Sequence, residues 1–248
     1  GGPTANFRHP SCSKQLERGM CKNRDCLYPK PCRELYVDHS DYLDVLKQVR
    51  ALPKVKKVFI RSGIRYDYLM ADRDRTFIKE LCANHVSGTL KVAPEHSSPE
   101  VLSYMHKPSI DVFTGFAKEY FRENDRLGKK QYLIPYLISS HPGSTLKDAV
   151  ELAEFLNRYG FVPDQVQDFY PTPATLATCM YYTEMNPFTG ESVYVAKDME
   201  EKKMQRALIH YNRPENYQLV KKALIKAGRE DLISVLLPPQ NRKGKKRR

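Results

Sequence analysis

Four of the six cysteines fall in one run, CSKQLERGMCKNRDCLYPKPC, residues 12 to 32. Thiols this close together serve disulfides, a zinc ion or an iron–sulfur cluster. Disulfides need an oxidising compartment, and nothing in the sequence suggests export. Zinc sites pair their cysteines as C-x2-4-C, a spacing that only Cys21 and Cys26 meet. Iron–sulfur clusters also take four thiolates and tolerate irregular spacing. Plain packing is the remaining reading, but unpaired cysteines favour cores and this run is polar. Cys12, Cys21, Cys26 and Cys32 are therefore candidate metal ligands, with an auxiliary cluster and a structural zinc both open. Cys82 lies on an apolar helical face and reads as core; Cys179, beside Met180 and two tyrosines, reads as packing.

A second set of chemistry-bearing residues lies at the ends of expected strands. The runs RSGIRYD (61 to 67), APEHSS (93 to 98), SSHPGST (139 to 145) and YPTPAT (170 to 175) are polar or rich in Gly and Pro. In parallel α/β folds the working residues sit at the carboxyl ends of strands. Ser98 and Ser144 are explained as helix caps. Arg65, Glu95, His96 and His141 are not explained by turn chemistry. Arg65 could grip a carboxylate in a two-pronged hydrogen bond, Glu95 could accept from an amine or hydroxyl, and His141 is either a base or a satisfied loop histidine.

The elements that would position these loops alternate regularly. VKKVFIRSG (55 to 63), TLKVAP (89 to 94), KQYLIPYLIS (130 to 139) and DQVQDFYP (164 to 171) read as strands. The near-continuous apolar character of the third fits a parallel sheet buried on both faces. Helical spacing appears at 40 to 52, with Ser40 as cap, at 74 to 85 with Phe77, Ile78, Leu81 and Cys82 on one face, after Ser98-Pro99, and through Val112, Phe113, Phe116, Tyr120 and Phe121. The clearest helix is 144 to 160, with Ser144 as cap, Leu146, Val150, Ala153 and Leu156 inward, and Gly160 as the stop. Four strand–helix units with short links imply a parallel sheet with crossover helices. Neither G-x-G-x-x-G nor G-x-x-x-x-G-K-[ST] occurs, which lowers the dinucleotide-fold and NTPase readings. Beyond residue 183 the pattern changes to a turn or hairpin at 186 to 195 and two helices, 198 to 211 and 213 to 228.

The 248 residues are 41% hydrophobic and 28% charged, enough for a packed core. The longest apolar runs are too short to span a bilayer, and no secretory signal is visible, so a cytoplasmic protein without membrane contact is expected. Six of the seven residues from Arg242 to Arg248 are basic, half of the net charge of +12. Such a tail attracts phosphate backbones, making RNA contact one reading and a disordered, solubilising terminus the other. The opening GGPTANFRHP has no Met, which reads as a piece of something longer.

LKVAPEHSSPEVLSYMHKP and YLIPYLISSHPGSTLKDAVELAEFLNRYGFVPDQVQDFYPTPATLAT resemble the second half of a radical S-adenosylmethionine barrel, with HPGST where the methylthiotransferase subgroup has a Pro-Gly-Glu-Thr-like turn. DHSDYLDVLKQVRALPKVKKVFIRSGIRYDYL and GKKQYLIPYLISSHPG resemble more narrowly the YgiQ-like family of radical S-adenosylmethionine proteins, as does RALIHYNRPENYQLVKKAL near the end. The likeness runs from about residue 3 to about residue 235. The resemblance implies an α/β fold: a partial TIM-type barrel of about four strand–helix units (38–183), preceded by a Cys-rich segment (1–37) and followed by a small helical extension (184–236) and a disordered basic tail (237–248).

The same resemblance implies a C-terminal portion of an enzyme that uses S-adenosylmethionine and a 4Fe–4S cluster to generate a 5′-deoxyadenosyl radical, with an unknown substrate. The family's C-x3-C-x2-C triad is absent from this chain, so the cluster ligands would lie outside it and the chain alone is expected to be inactive. By matching loop positions, Ser62, Gly63 and Arg65 would approach the cofactor's amino-acid end, Glu95 and His96 the ribose or substrate, and Ser139 and Ser140 the adenine side. Two other classes stay open. One is a zinc-stabilised nucleic-acid-binding module, with the Cys run as knuckle and the tail as phosphate arm. The other is a non-catalytic half-barrel that needs a partner.

Overall fold

The computed structural model describes residues 6, 8–10, 12–164 and 166–237. The basic tail expected at 237–248 therefore lies outside the described residues, apart from Leu237. The chain divides into two compact units. The first holds the described residues up to Glu95 together with Met105–Tyr136; the second holds His96–Tyr104 and everything described from Leu137 onward.

In chain order the first unit contains α1 (Ser13–Arg18), α2 (Ser40–Ala51), α3 (Tyr66–Ala71) and α4 (Thr76–Glu80), which runs into a π-helical turn, Leu81–His85, then β1 (Thr89–Glu95). α5 (Pro99–Tyr104) belongs to the second unit and α6 (Ile110–Arg126) to the first. β2 (Tyr132–Ser139), α7 (Leu146–Tyr159), β3 (Val166–Asp168), α8 (Leu176–Thr183), α9 (Met199–Ile209), α10 (Tyr217–Lys226) and α11 (Ile233–Leu236) follow. The three strands form a small parallel sheet in the order β1-β2-β3, with Leu137, Ile138 and Ser139 opposite Val166, Gln167 and Asp168.

Three of the four expected strands are present among the described residues. The exception is 55 to 63, which is not a strand. Its segment is fastened at single points instead: Ile60 N–H donates to the His85 carbonyl at 2.9 Å, and His85 Nδ1–H donates to the Val58 carbonyl at 2.8 Å. Lys56, Lys57, Phe59 and Arg61 face solvent, so this is an extended edge without a continuous ladder partner. β2 alternates buried with half-buried positions instead of being buried on both faces, and β3 is only three residues long. α1, α3, α8 and α11 were not expected.

The helices form where caps and apolar faces coincide. At α7, Thr145 accepts from Asp148 N–H while the Asp148 carboxylate accepts from Thr145 N–H, a reciprocal capping box. Gly160 ends the helix in the left-handed region, φ 67°. Ser144 is thus not the cap, and its hydroxyl donates instead to Gln205 Oε1 at 3.0 Å. Nor does Ser40 cap α2: it is the first helical residue, and Asp38 accepts from its N–H and hydroxyl. In the first unit Phe113, Phe116 and Tyr120 of α6 are fully buried, and Tyr66 of α3 meets Phe113 edge-on at 5.5 Å. In the second, Val150, Ala153, Leu208, Val220 and Leu224 form one apolar cluster across α7, α9 and α10.

Candidate functional site

In the first unit, the loop before α3 is shaped by a glycine. Gly63 has φ +83°, and a Cβ there would stand 2.5 Å from the Lys91 carbonyl oxygen of β1. Only a residue without a side chain lets the backbone pass so close. Two residues on, Arg65 makes the two-pronged grip expected of it, but on the chain's own Asp67: Nε to Oδ1 at 2.7 Å and Nη2 to Oδ2 at 2.6 Å. Burial works against the guanidinium charge, yet the Asp67 pair outweighs it and the Arg65 pKa is raised. The loop backbone is fastened from the other side by Asn6, whose amide donates to the Arg65 carbonyl and accepts from its N–H. Ser62 is half-buried beside these residues.

Glu95 ends β1 in the left-handed region, φ 69°. Burial raises its pKa, and the Lys107 ammonium, 3.6 Å away, offsets that only in part. Lys107 also donates to the Ala93 carbonyl at 3.1 Å, so it closes the end of the strand.

The cysteine run forms one wall of a cavity of about 300 Å³. Cys12, Cys21 and Cys26 line it with Arg65 and His106; Cys32 is tied to the same loop through its N–H, which donates to the Cys26 carbonyl at 2.9 Å. All six cysteines are free thiols. Among the described residues no three His, Cys, Asp or Glu side chains converge to metal-holding distance. The donor set therefore fits a thiophilic metal in kind, with three thiols on one cavity, but does not close around one. His106 was missed by sequence reasoning; it stacks on Tyr28 at 5.0 Å and pairs through Nδ1 with Asp25 at 2.7 Å. Cys82 is fully buried, its thiol pushed up to about 12 by burial, as a core cysteine should be. Cys179 is exposed and does not pack.

In the second unit, buried polar residues gather around the end of β2. Ser139 Oγ donates to Asp168 Oδ1 at 2.6 Å, and Arg206 holds the other oxygen of that carboxylate. Ser140 has φ 58°, its N–H donates to Gln205 Oε1, and its buried hydroxyl has no hydrogen-bond partner among the described residues. Gln205 also donates to the Ser144 carbonyl, so one α9 side chain braces the whole loop. His141 Nδ1–H donates to the Pro142 carbonyl at 2.7 Å, which leaves Nε2 as a bare acceptor in the neutral ring. His96 is oppositely polarised: its Nδ1 accepts from Ser98 N–H at 3.0 Å, which puts the proton on Nε2. Burial pulls both imidazoles down to about 4. Ser98 Oγ donates to Asp148 at 2.6 Å, and Ser97 Oγ is buried without a partner among the described residues. Gln205 carries no local signal linking it to a loop more than sixty residues away, and sequence reasoning missed it.

Against proteins already catalogued, the chain is 58% identical over 233 residues to a UPF0313 protein of Clostridium botulinum (strain 657 / Type Ba4), covering 94% of this chain and 36% of that protein. A UPF0313 protein of Clostridium perfringens (strain SM101 / Type A) is 59% identical over the same length, 35% of its own. The chain is thus similar to UPF0313 proteins over nearly all of its own length. UPF0313 is the YgiQ-like family, so the resemblance reached from the sequence holds at that level. The chain spans about a third of the length of these relatives. Residues 164–247 also match a family model described as a domain of unknown function (DUF3362). No described helix is long and apolar enough to cross a membrane.

Proposed function

We propose that this chain is the C-terminal part of a radical S-adenosylmethionine iron–sulfur enzyme of the UPF0313 group, with the C-x3-C-x2-C triad on polypeptide outside it. The observation that carries the reading is the end of β2. There Ser140 is held in a left-handed backbone by Gln205 and keeps a buried hydroxyl without a partner among the described residues, at the position where the resemblance calls for a cofactor contact. A buried polar atom left unmatched costs about 1–3 kcal/mol, and a polar ligand would recover it.

When bound, S-adenosylmethionine would supply hydrogen abstraction after its cleavage by one electron from a cluster held outside this chain. The chain's own residues would bind and exclude water. Ser140 and Ser139 would present hydroxyls at the strand end, and His96 a ring N–H. Gly63 lets the loop pass against β1 and so sets the position of Ser62 and Arg65. Arg65, fixed and kept charged by Asp67, and Glu95, closed against Lys107, would set the polarity at the other strand ends. The four thiols of the Cys run are proposed as ligands of an auxiliary cluster or a structural zinc.

The test is a chimera in which this chain replaces the matching 233 residues of the C. botulinum protein. Under anaerobic reduction it should retain S-adenosylmethionine and release 5′-deoxyadenosine, and Ser140→Ala should weaken cofactor binding severalfold. A folded, cluster-loaded chimera that neither binds the cofactor nor releases 5′-deoxyadenosine refutes the proposal.

A further inference from the structure

The first unit carries a concave basic surface away from any residue assigned a role above. It encloses about 440 Å³ and is lined by Arg50, Lys56, Lys57, Lys129 and Lys130, with no carboxylate among its lining residues. The five cations do different things. Lys129 donates to the Cys82 carbonyl at 3.2 Å and to that of Ala83, so it fastens the wall made by the π-helical turn. Arg50 is paired with Glu80 at 2.8 Å. Lys56, Lys57 and Lys130 are exposed.

Between these lysines stands Phe59, 40% exposed, with the Lys57 ammonium 6.0 Å from its ring centroid. Two-fifths of its surface stays open to solvent among these cations. The wall behind it is fixed, because Ile60 and Val58 are both bonded to His85, and Gln131 donates to the Cys82 carbonyl at 3.0 Å. A preformed groove that offers point charges for phosphates and one exposed aromatic face fits a particular ligand chemistry. In a duplex the base faces are stacked away from such a ring, and an acidic peptide offers nothing that needs it.

The geometry points to a binding site for single-stranded polynucleotide, in which Lys56, Lys57 and Lys130 neutralise backbone phosphates and Phe59 stacks on a base. This site is separate from the strand-end residues and does not rest on the radical-enzyme reading.

The experiment is fluorescence anisotropy of labelled oligouridylate with the full chain across a salt series. Neutralising three phosphate contacts in Lys56→Gln/Lys57→Gln/Lys130→Gln should reduce the slope of log Kd against log salt by about 2. Phe59→Ala should weaken binding about tenfold at fixed salt and leave the slope unchanged. Lys118→Gln, an exposed lysine of α6, should change neither. Phe59→Leu keeps the apolar volume and guards against misfolding; it should weaken binding nearly as much as Phe59→Ala. An unchanged salt slope in the triple variant overturns the proposal by placing binding elsewhere, for instance on the basic C-terminal residues. Equal weakening of polyglutamate and oligouridylate by Phe59→Ala, or no weakening of either, overturns it by removing the stacked base.

Discussion

Gly143 sits at the turn of SSHPGST with φ +89°, and a Cβ there would lie 2.2 Å from Tyr104 Cδ2, 2.7 Å from Cε2 and 3.2 Å from Cγ. Gly143→Ala therefore imposes two separable costs. An L-residue in the left-handed region costs about 1 kcal/mol. Displacing the tyrosine ring, whose base and one edge are in the way, adds about 1–3 kcal/mol of overpacking. The sum is about 2–4 kcal/mol. The loop has few ways to yield, since Gly143 N–H donates to the Tyr194 carbonyl at 2.7 Å and Ser144 and Ser140 are both held by Gln205. Urea unfolding followed by circular dichroism should show an unfolding free energy lowered by that amount, seen as a lower midpoint with little change in slope. Tyr104→Ala in the same background removes the clash but leaves the backbone strain, so the double-mutant cycle should show a favourable coupling of about 1–3 kcal/mol. Strict additivity of the two substitutions, or a parent-like midpoint for Gly143→Ala, would refute the close approach of ring and turn.

Acid should destabilise the second unit. His96 and His141 both titrate near 4 in the folded chain, drawn down chiefly by burial, so between about pH 4 and 6.5 the unfolded chain binds more protons. Their contribution is present above pH 6.5 and lost as pH falls through 4, about 3 kcal/mol for each ring at the limit. Denaturation midpoints measured across that window should fall with pH, and His141→Gln should flatten the profile; a flat parent profile contradicts the burial argument. Anaerobically purified protein should hold metal that Cys21→Ser/Cys26→Ser removes. Iron with acid-labile sulfide makes the run a cluster site, zinc a structural knot, and a metal-free folded parent returns the four thiols to plain loop residues.

What could be read in the sequence was whatever local chemistry fixes. The 3.6-residue apolar spacing placed α4, α6 and α7, and Gly160 marked the end of α7, because these signals lie within a turn of the element they define. The segment 55 to 63 failed as a strand although its Val and Ile content suits one: strand formation depends on a partner, and its long-range hydrogen bonds among the described residues go to His85, some twenty-five residues on. The same limit hid Gln205. A glutamine on an amphipathic helix has no local mark, and its role appears only when α9 meets the loop after β2. Cys12, Cys21 and Cys26 were legible as a group, yet the cavity they share with His106 was not, because its histidine wall comes from much later in the chain.

The four strand-end loops chosen on sequence grounds each contain a residue in the left-handed region: Gly63 at φ 83°, Glu95 at 69°, Ser140 at 58° beside Gly143 at 89°, and Ala174 at 62°. For a glycine this costs nothing, but Glu95, Ser140 and Ala174 carry a Cβ and are each held about 1 kcal/mol above a relaxed backbone. Glycine would relieve the strain at all three. At Glu95 and Ser140 it would also delete the half-buried carboxyl and the hydroxyl that has no hydrogen-bond partner among the described residues. Strain that local turn chemistry would remove, retained where it directs a functional group, separates these two loops from ordinary connections. At Ser140 backbone strain and a polar atom unmatched among the described residues coincide in one residue. The exposed Ala174 turn has the strain without the group, which leaves the loop after β3 without a chemical assignment.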